Sequence, residues 1–346
     1  MQRKNRNVLI SRFSALGDVA MTLPSVYNAC VANPDDNFYF LTRNHPAQVF
    51  INKPDNLTVV GIDLNNYKGA AGIWRLAASL RSRFHIDTYV DLHDVLRTKL
   101  LRKFLMLHGV KCRHIDKGRA DKKKLTRPNH KVLIQLKPTP ERYEEVFRTA
   151  GISLADSFRS LYGEGKGNPL EFRDVCPPKK EGEYWLAIAP FAKHPGKIYP
   201  FELIEKVAAH FAVRPNTRIF IFGFGAREER QIATLADKYP NIINMASAAL
   251  GIGAELSLLS HCDAMLSMDS ANMHLASLVG LRTVSVWGAT HPYTGFMGWK
   301  QNPADAVQLD MTCRPCSVFG NKPCMRGDYH CLWGITPQMI IQRLNS

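Results

Sequence analysis

Ala264-Met265-Leu266-Ser267-Met268-Asp269-Ser270-Ala271-Asn272-Met273-His274 is the stretch from which the fold is read. An apolar run of strand length ends in a carboxylate and a hydroxyl, and a helical pattern begins at once. A buried strand feeding straight into a helix is half of a βαβ unit, the building block of a parallel sheet. The chain continues in kind, with a helix over 271–279, Gly280 where a helix end favours left-handed backbone, and a strand over 283–287. Free N–H groups in such a first turn attract anions, so Asp269, Ser270 and Ala271 mark a site suited to a diphosphate. His274 lies one helical turn along, on the same face.

Outward from this stretch the alternation repeats. Upstream come strands at 185–189, 218–222 and 263–268, with helices at 200–211 and 228–238. The first half runs the same way, with strands at 8–12, 38–41, 59–62 and 88–91. Helices are expected at 19–31, 73–82, 95–108 and 141–150. Residues 162–180 carry Gly163, Gly165, Gly167, Pro169, Pro177 and Pro178 without periodicity, which places a linker there. The expected architecture is α/β, with two doubly wound domains over 1–165 and 166–346 and a cleft between them. The last helix is left able to pack back on the N-terminal domain. Ligands in such sheets bind beyond the carboxyl ends of the strands.

The chain of 346 residues is long enough for two domains, and an apolar fraction of 45% supports a core in each. The apolar run at 8–10 is broken by Arg12 and Asp18, too short for a signal-peptide core or a membrane span, so a cytoplasmic protein is expected. Charge is concentrated: residues 97–131 hold 13 Lys or Arg against Asp116 and Asp121, or +11 of the net +15. Such a surface attracts nucleic acid, anionic membrane or a phosphorylated substrate, and can equally be a solvated face.

Near the start, Ser11-Arg12-Phe13-Ser14-Ala15-Leu16-Gly17-Asp18-Val19 ends a strand, turns on Gly17 and opens a helix at Asp18. An acid there caps the helix, or it serves as a general base toward an attacking hydroxyl. In Ile219-Phe220-Ile221-Phe222-Gly223-Phe224-Gly225 a strand leads into Gly-x-Gly, but Glu228 stands where a dinucleotide fingerprint needs its third glycine. Cys313, Cys316, Cys324 and Cys331 have the spacing Cys-x2-Cys-x7-Cys-x6-Cys, compatible with a structural zinc on four thiolates or with two redox-labile pairs.

These motifs together resemble glycosyltransferase family 9, the lipopolysaccharide heptosyltransferases of the GT-B fold, over nearly the whole chain. Residues 12–19 match the family's Arg-Phe-Ser-(Ser/Ala)-(Leu/Ile)-Gly-Asp-Val. Residues 269–276 match Asp-(Ser/Thr)-Gly-Pro-Met-His-(Leu/Ile)-Ala, with Ala271 and Asn272 replacing Gly and Pro, and 288–292 match its later Gly-Pro-Thr-Asp-Pro. The resemblance implies a GT-B pair of Rossmann-like domains and an inverting transfer of heptose from ADP-heptose to a lipopolysaccharide core or lipid A precursor. It implies acceptor binding in the first domain, with Asp18 as the base and Arg12 beside the acceptor. The basic loop over 117–124 falls in that domain, so its Lys122, Lys123 and Lys124 are expected to grip an anionic, lipid-linked acceptor. The resemblance implies donor binding in the second domain, by Lys193, Lys197, Glu228, Asp269, Ser270, Ala271 and His274. No cofactor is needed for the step, and the enzyme works in the cytoplasm, peripheral to the inner membrane. Two other classes stand beside it. A nucleic-acid binder has only the basic segment and a pI near 9.5 in its favour. A nicotinamide enzyme has only the broken glycine fingerprint.

Overall fold

The structure is a computed structural model and describes residues 5–346; the basic start, residues 1–4, lies outside the described residues. The chain folds as two compact units. One takes the residues up to Lys117 together with Thr139–Leu161, and the other takes Gly118–Pro138 and Tyr162–Ser346.

The first unit is a five-stranded parallel sheet of Asn7–Ser11 (β1), Asn37–Arg43 (β2), Leu57–Ile62 (β3), Thr88–Asp91 (β4) and Lys111–His114 (β5), in the order β3-β2-β1-β4-β5. Val8, Leu9 and Ile10 of β1 are fully buried, as the apolar run requires of a central parallel strand covered on both faces. β5 reads Lys-Cys-Arg-His and escaped the sequence pattern because it is an edge strand with mostly exposed side chains. The helix expected over 19–31 is two, Leu16–Ala20 and Leu23–Ala32, the second opened by Pro24 in its first turn. Gly17 lies inside the first of them, not in a turn before it.

The second unit is a six-stranded parallel sheet in the order β11-β10-β9-β6-β7-β8. Its strands are Tyr184–Ala189 (β6), Thr217–Ile221 (β7), Ile242–Asn244 (β8), Ala264–Met268 (β9), Thr283–Val286 (β10) and Ala306–Val307 (β11). The last helix, Pro337–Asn345, buries Ile340, Ile341 and Leu344 in this unit's own core beside Ile204 and Val284.

Two expectations about the connecting chain change. The stretch expected as a linker opens with a fitted strap: Gly167 N–H donates to Ser260 Oγ at 2.8 Å, and Ser257 Oγ donates to Asn168 O at 2.8 Å. A Cβ on Gly167 would come within 2.4 Å of Ser257 Oγ, so only glycine permits that approach. The basic loop around Lys122–Lys124 is a helix, Arg119–Thr126, and it belongs to the second unit rather than the first. Leu125 is fully buried, Leu136 nearly so, and Leu136 N–H donates to Tyr293 O at 3.0 Å. Apolar anchoring of this kind outweighs the pull of its charges toward open solvent. Among the described residues no helix is long and apolar enough to cross a membrane.

Candidate active site

In each sheet the strand order reverses once, between β1 and β4 in the first unit and between β6 and β9 in the second. At such a point the connections leave toward opposite faces and open a crevice beyond the carboxyl ends. Arg12 and Asp18 follow β1 at the first of these places, and Lys197 and Asp269 follow β6 and β9 at the second.

In the second unit β9 delivers Asp269 and Ser270, and the chain after β6 returns through the single turn Pro195–Lys197. Lys197 Nζ lies 2.8 Å from Asp269 Oδ2, with side chains 15% and 4% exposed. A carboxylate so withdrawn from water needs that partner. The helix Ala271–Leu278 starts immediately, and the Ser270 hydroxyl makes no capping bond to it. The N–H groups of its first turn thus lack a cap from Ser270, an arrangement suited to an anion. Ser270 Oγ instead lies 3.4 Å from Ser267 Oγ. His274 is buried along the helix, while Lys193 is exposed and stands apart from the pair. Glu228 accepts from Phe224 N–H at 2.8 Å, so one carboxylate oxygen is engaged at the start of its own helix. A carboxylate there also opposes a pyrophosphate at the Gly-x-Gly turn.

Lys197 is held by backbone packed too closely for side chains. Ala289 N–H donates to Gly196 O at 2.8 Å and Gly196 N–H to Gly320 O at 3.2 Å. A Cβ on Gly196 would stand 2.8 Å from both Ala289 Cβ and Gly320 O. Behind this stack, Cys316 and Ser317 donate their N–H groups to Ala289 O. The buried Arg314 guanidinium gathers the carbonyls of Trp287, Gly288, Thr290 and Leu309 with Gln308 Oε1. Lys131 Nζ donates to the carbonyls of Cys313 and Pro315, which ties the basic segment to the same loop. Cys313, Cys316, Cys324 and Cys331 line one common pocket as free thiols, and burial pushes Cys331 up to about 11. Among the described residues no group of three or more His, Cys, Asp or Glu is arranged to hold a metal ion.

In the first unit Asp18 sits in the first turn of Leu16–Ala20. Its Oδ2 accepts Ala15 N–H at 2.9 Å and lies 2.9 Å from an Arg12 Nη, leaving the carboxylate 29% exposed. Asp18 is thus a cap, and an aimed one. Arg12, expected to meet the acceptor, is buried: its guanidinium donates to Ser14 O and Leu92 O as well as pairing with Asp18. Lys122 is likewise withdrawn, with its ammonium 4.1 Å from the centre of the Phe296 ring in the second unit, whereas Lys123 and Lys124 are exposed. The sequence reading passed over the end of β4. There the buried Asp91 accepts the N–H groups of His93 and Asp94, each at 2.9 Å, and pairs with Arg102 at 3.0 Å. The signal was available: Asp91 ends a strand that runs into a helix, as Asp269 does.

Residues 73–324 match the family model of glycosyltransferase family 9 (heptosyltransferase). The chain belongs to that family. This glycosyltransferase is 25% identical over 342 residues to lipooligosaccharide heptosyltransferase 2 of Campylobacter jejuni, covering 96% of this chain and 95% of that one. Its fold is GT-B. The family 9 glycosyltransferase structure from Veillonella parvula superposes with a TM-score of 0.74 at 15% identity, covering 100% of this chain and 98% of that one. E. coli heptosyltransferase WaaC, solved with ADP-2-deoxy-2-fluoro heptose, gives 0.67 at 18% identity and 98% coverage of both chains.

Lys197→Ala and Ser270→Ala should each weaken ADP binding by about 1–3 kcal/mol, the usual loss for a charge-assisted hydrogen bond, without unfolding the chain. Calorimetry with ADP measures it. Unchanged affinity in both variants would move the diphosphate away from this helix end.

Proposed function

We propose that this glycosyltransferase moves a heptose from ADP-heptose onto a lipopolysaccharide core precursor with inversion at the anomeric carbon. The observation that carries the reading is the buried Lys197–Asp269 pair beside an uncapped helix start at the second unit's reversal point. That arrangement suits a group that becomes more negative as the reaction proceeds. The acceptor oxygen attacks the anomeric carbon, and its proton passes to the Asp18 carboxylate. The bond from the anomeric carbon to the diphosphate breaks, and ADP departs with the electron pair. Charge gathers on the diphosphate oxygens in the transition state, where the Ser270 hydroxyl, the first-turn N–H groups and Lys197 are already aimed. Such preorganised donors stabilise the transition state more than the ground state. Arg12 fixes the aim of the base from behind.

The acceptor is assigned to the first unit, with Asp18, and the donor to the second. Attachment to an anionic membrane surface is part of the same proposal. The cations available for it are Lys123, Lys124 and Arg127, joined by exposed Leu133 and Ile134; Val132 N–H donates to Lys124 O and holds the two stretches together. Each such cation near an anionic surface contributes about 1 kcal/mol, screened by salt. From their spacing and shared pocket we propose that the four thiols, which do not form a metal-holding group as arranged here, close around a structural zinc as a brace behind Lys197 that takes no part in the chemistry.

Three measurements bear on this reading. Asp18→Asn should keep donor binding and lower turnover by about 10²-fold or more, the usual size of a general-base effect; turnover within a few-fold of the parent would reduce Asp18 to a helix cap. Replacing Lys123 and Lys124 together with Ser should release the enzyme from phosphatidylglycerol vesicles in sedimentation at low salt, and retention would remove this surface from the proposal. Elemental analysis of the purified protein should find about one zinc per chain, as a closed four-thiolate site holds; metal-free protein with normal stability would leave the thiols a packing role alone.

A further inference from the structure

We propose that His93 is a fixed hydrogen-bond donor that positions the acceptor beside Asp18. The inference rests on the reading of Asp18 as the base, and it arises from the strand order. β1 and β4 are the two strands between which the first sheet reverses, so the residues that follow them face the same crevice beyond their carboxyl ends. Asp18 lies in the first turn of the short helix that follows β1. His93 stands two residues past the end of β4.

The ring is held in one tautomer by its neighbours. Phe13 N–H donates to His93 Nδ1 at 3.3 Å, so Nδ1 is an acceptor and the ring proton lies on Nε2. The backbone is fixed as well: His93 N–H donates to Asp91 Oδ1, and Asp91 is a fully buried carboxylate locked to Arg102. Among the described residues none bonds Nε2. The environment also keeps the ring neutral. Burial, then the cations Arg12, Lys117 and Arg97, push His93 down to about 3 against the opposing carboxylate of Asp18. A neutral imidazole with its acceptor side engaged has one remaining capacity, donation from Nε2. A sugar hydroxyl is the complementary group, because it accepts that bond through a lone pair while its proton stays free for a base. His93 therefore acts on the acceptor's position and takes no proton itself.

Two substitutions separate this role from pinning the loop. In His93→Asn the side-chain oxygen falls near the Nδ1 position, so acceptance from Phe13 is kept and the distal donor is lost. In His93→Gln the amide reaches the Nε2 position, so the donor is kept and the proximal acceptor is lost. With ADP-heptose and a heptose-deficient lipopolysaccharide core as substrates, His93→Asn should raise the acceptor KM about 3- to 10-fold, as for the loss of one neutral hydrogen bond. The donor KM should not move, and Gln should recover most of what Asn loses. The parent enzyme's acceptor kcat/KM should show no inflection near pH 6.5 that Asn removes, since a ring depressed to about 3 is neutral throughout that range. Impairment by Gln with normal kinetics in Asn would show that His93 only pins the loop at Phe13. Equal impairment by both, or an inflection near 6.5 that Asn abolishes, would also overturn the proposal. Failure of the Asp18 reading looks different: Asp18→Asn would then retain turnover, whatever the two His93 variants do to the acceptor KM.

Discussion

The ion pair between Lys197 and Asp269 is the interaction around which the second unit is organised. Its carboxylate is 4% exposed, so the lysine has to be delivered to one place. Delivery explains the surrounding chain. Gly196 and Gly320 allow backbones to approach where any Cβ would collide, and Ala289 joins Gly196 to the backbone of Cys316 and Ser317 by hydrogen bonds on both sides. Arg314, withdrawn from water, is satisfied by carbonyls of the same loop and so fixes its path. The cysteine-rich segment is thus part of the support for a single ammonium group.

A related solution appears in the first unit with the roles exchanged. There the buried partner is the cation: Arg12 is 7% exposed and the carboxylate of Asp18 keeps access to solvent. The difference matches the two tasks proposed for these pairs. A residue that meets a diphosphate must present positive charge to it, whereas a base must present a lone pair. On the proposed reading, each unit buries the member of the pair that does not meet the substrate.

Much of this was legible in the sequence, and the failures have physical reasons. Apolar runs such as Val8–Ile10 and 264–268 mark strands clearly because central parallel strands are buried on both faces. The pairing of Asp269 with the strand-end lysine was not legible, since it joins residues far apart in sequence, although both had been singled out. Arg12 and Lys122 were read as surface cations because sequence gives a charge without its direction. One proved buried against Asp18 and the other against Phe296. Edge strand Lys111–His114 lacked a pattern for the opposite reason, since little of it is covered. His93 was passed over because a lone histidine has no spacing to announce it.

The excursion of Gly118–Pro138 into the second unit has a consequence for the order in which the molecule is made. Synthesis runs from the amino end, and domains tend to fold as they emerge. The first sheet has all its strands by His114, and its remaining helix follows at Thr139–Thr149. Leu125 and Leu136, however, belong to a unit whose strands begin only at Tyr184. For the time needed to translate that interval and the sheet beyond it, a strongly basic segment with two unburied leucines must stay tethered to a nascent chain. Its charge serves the protein during that wait, because like charges keep such segments from associating with one another.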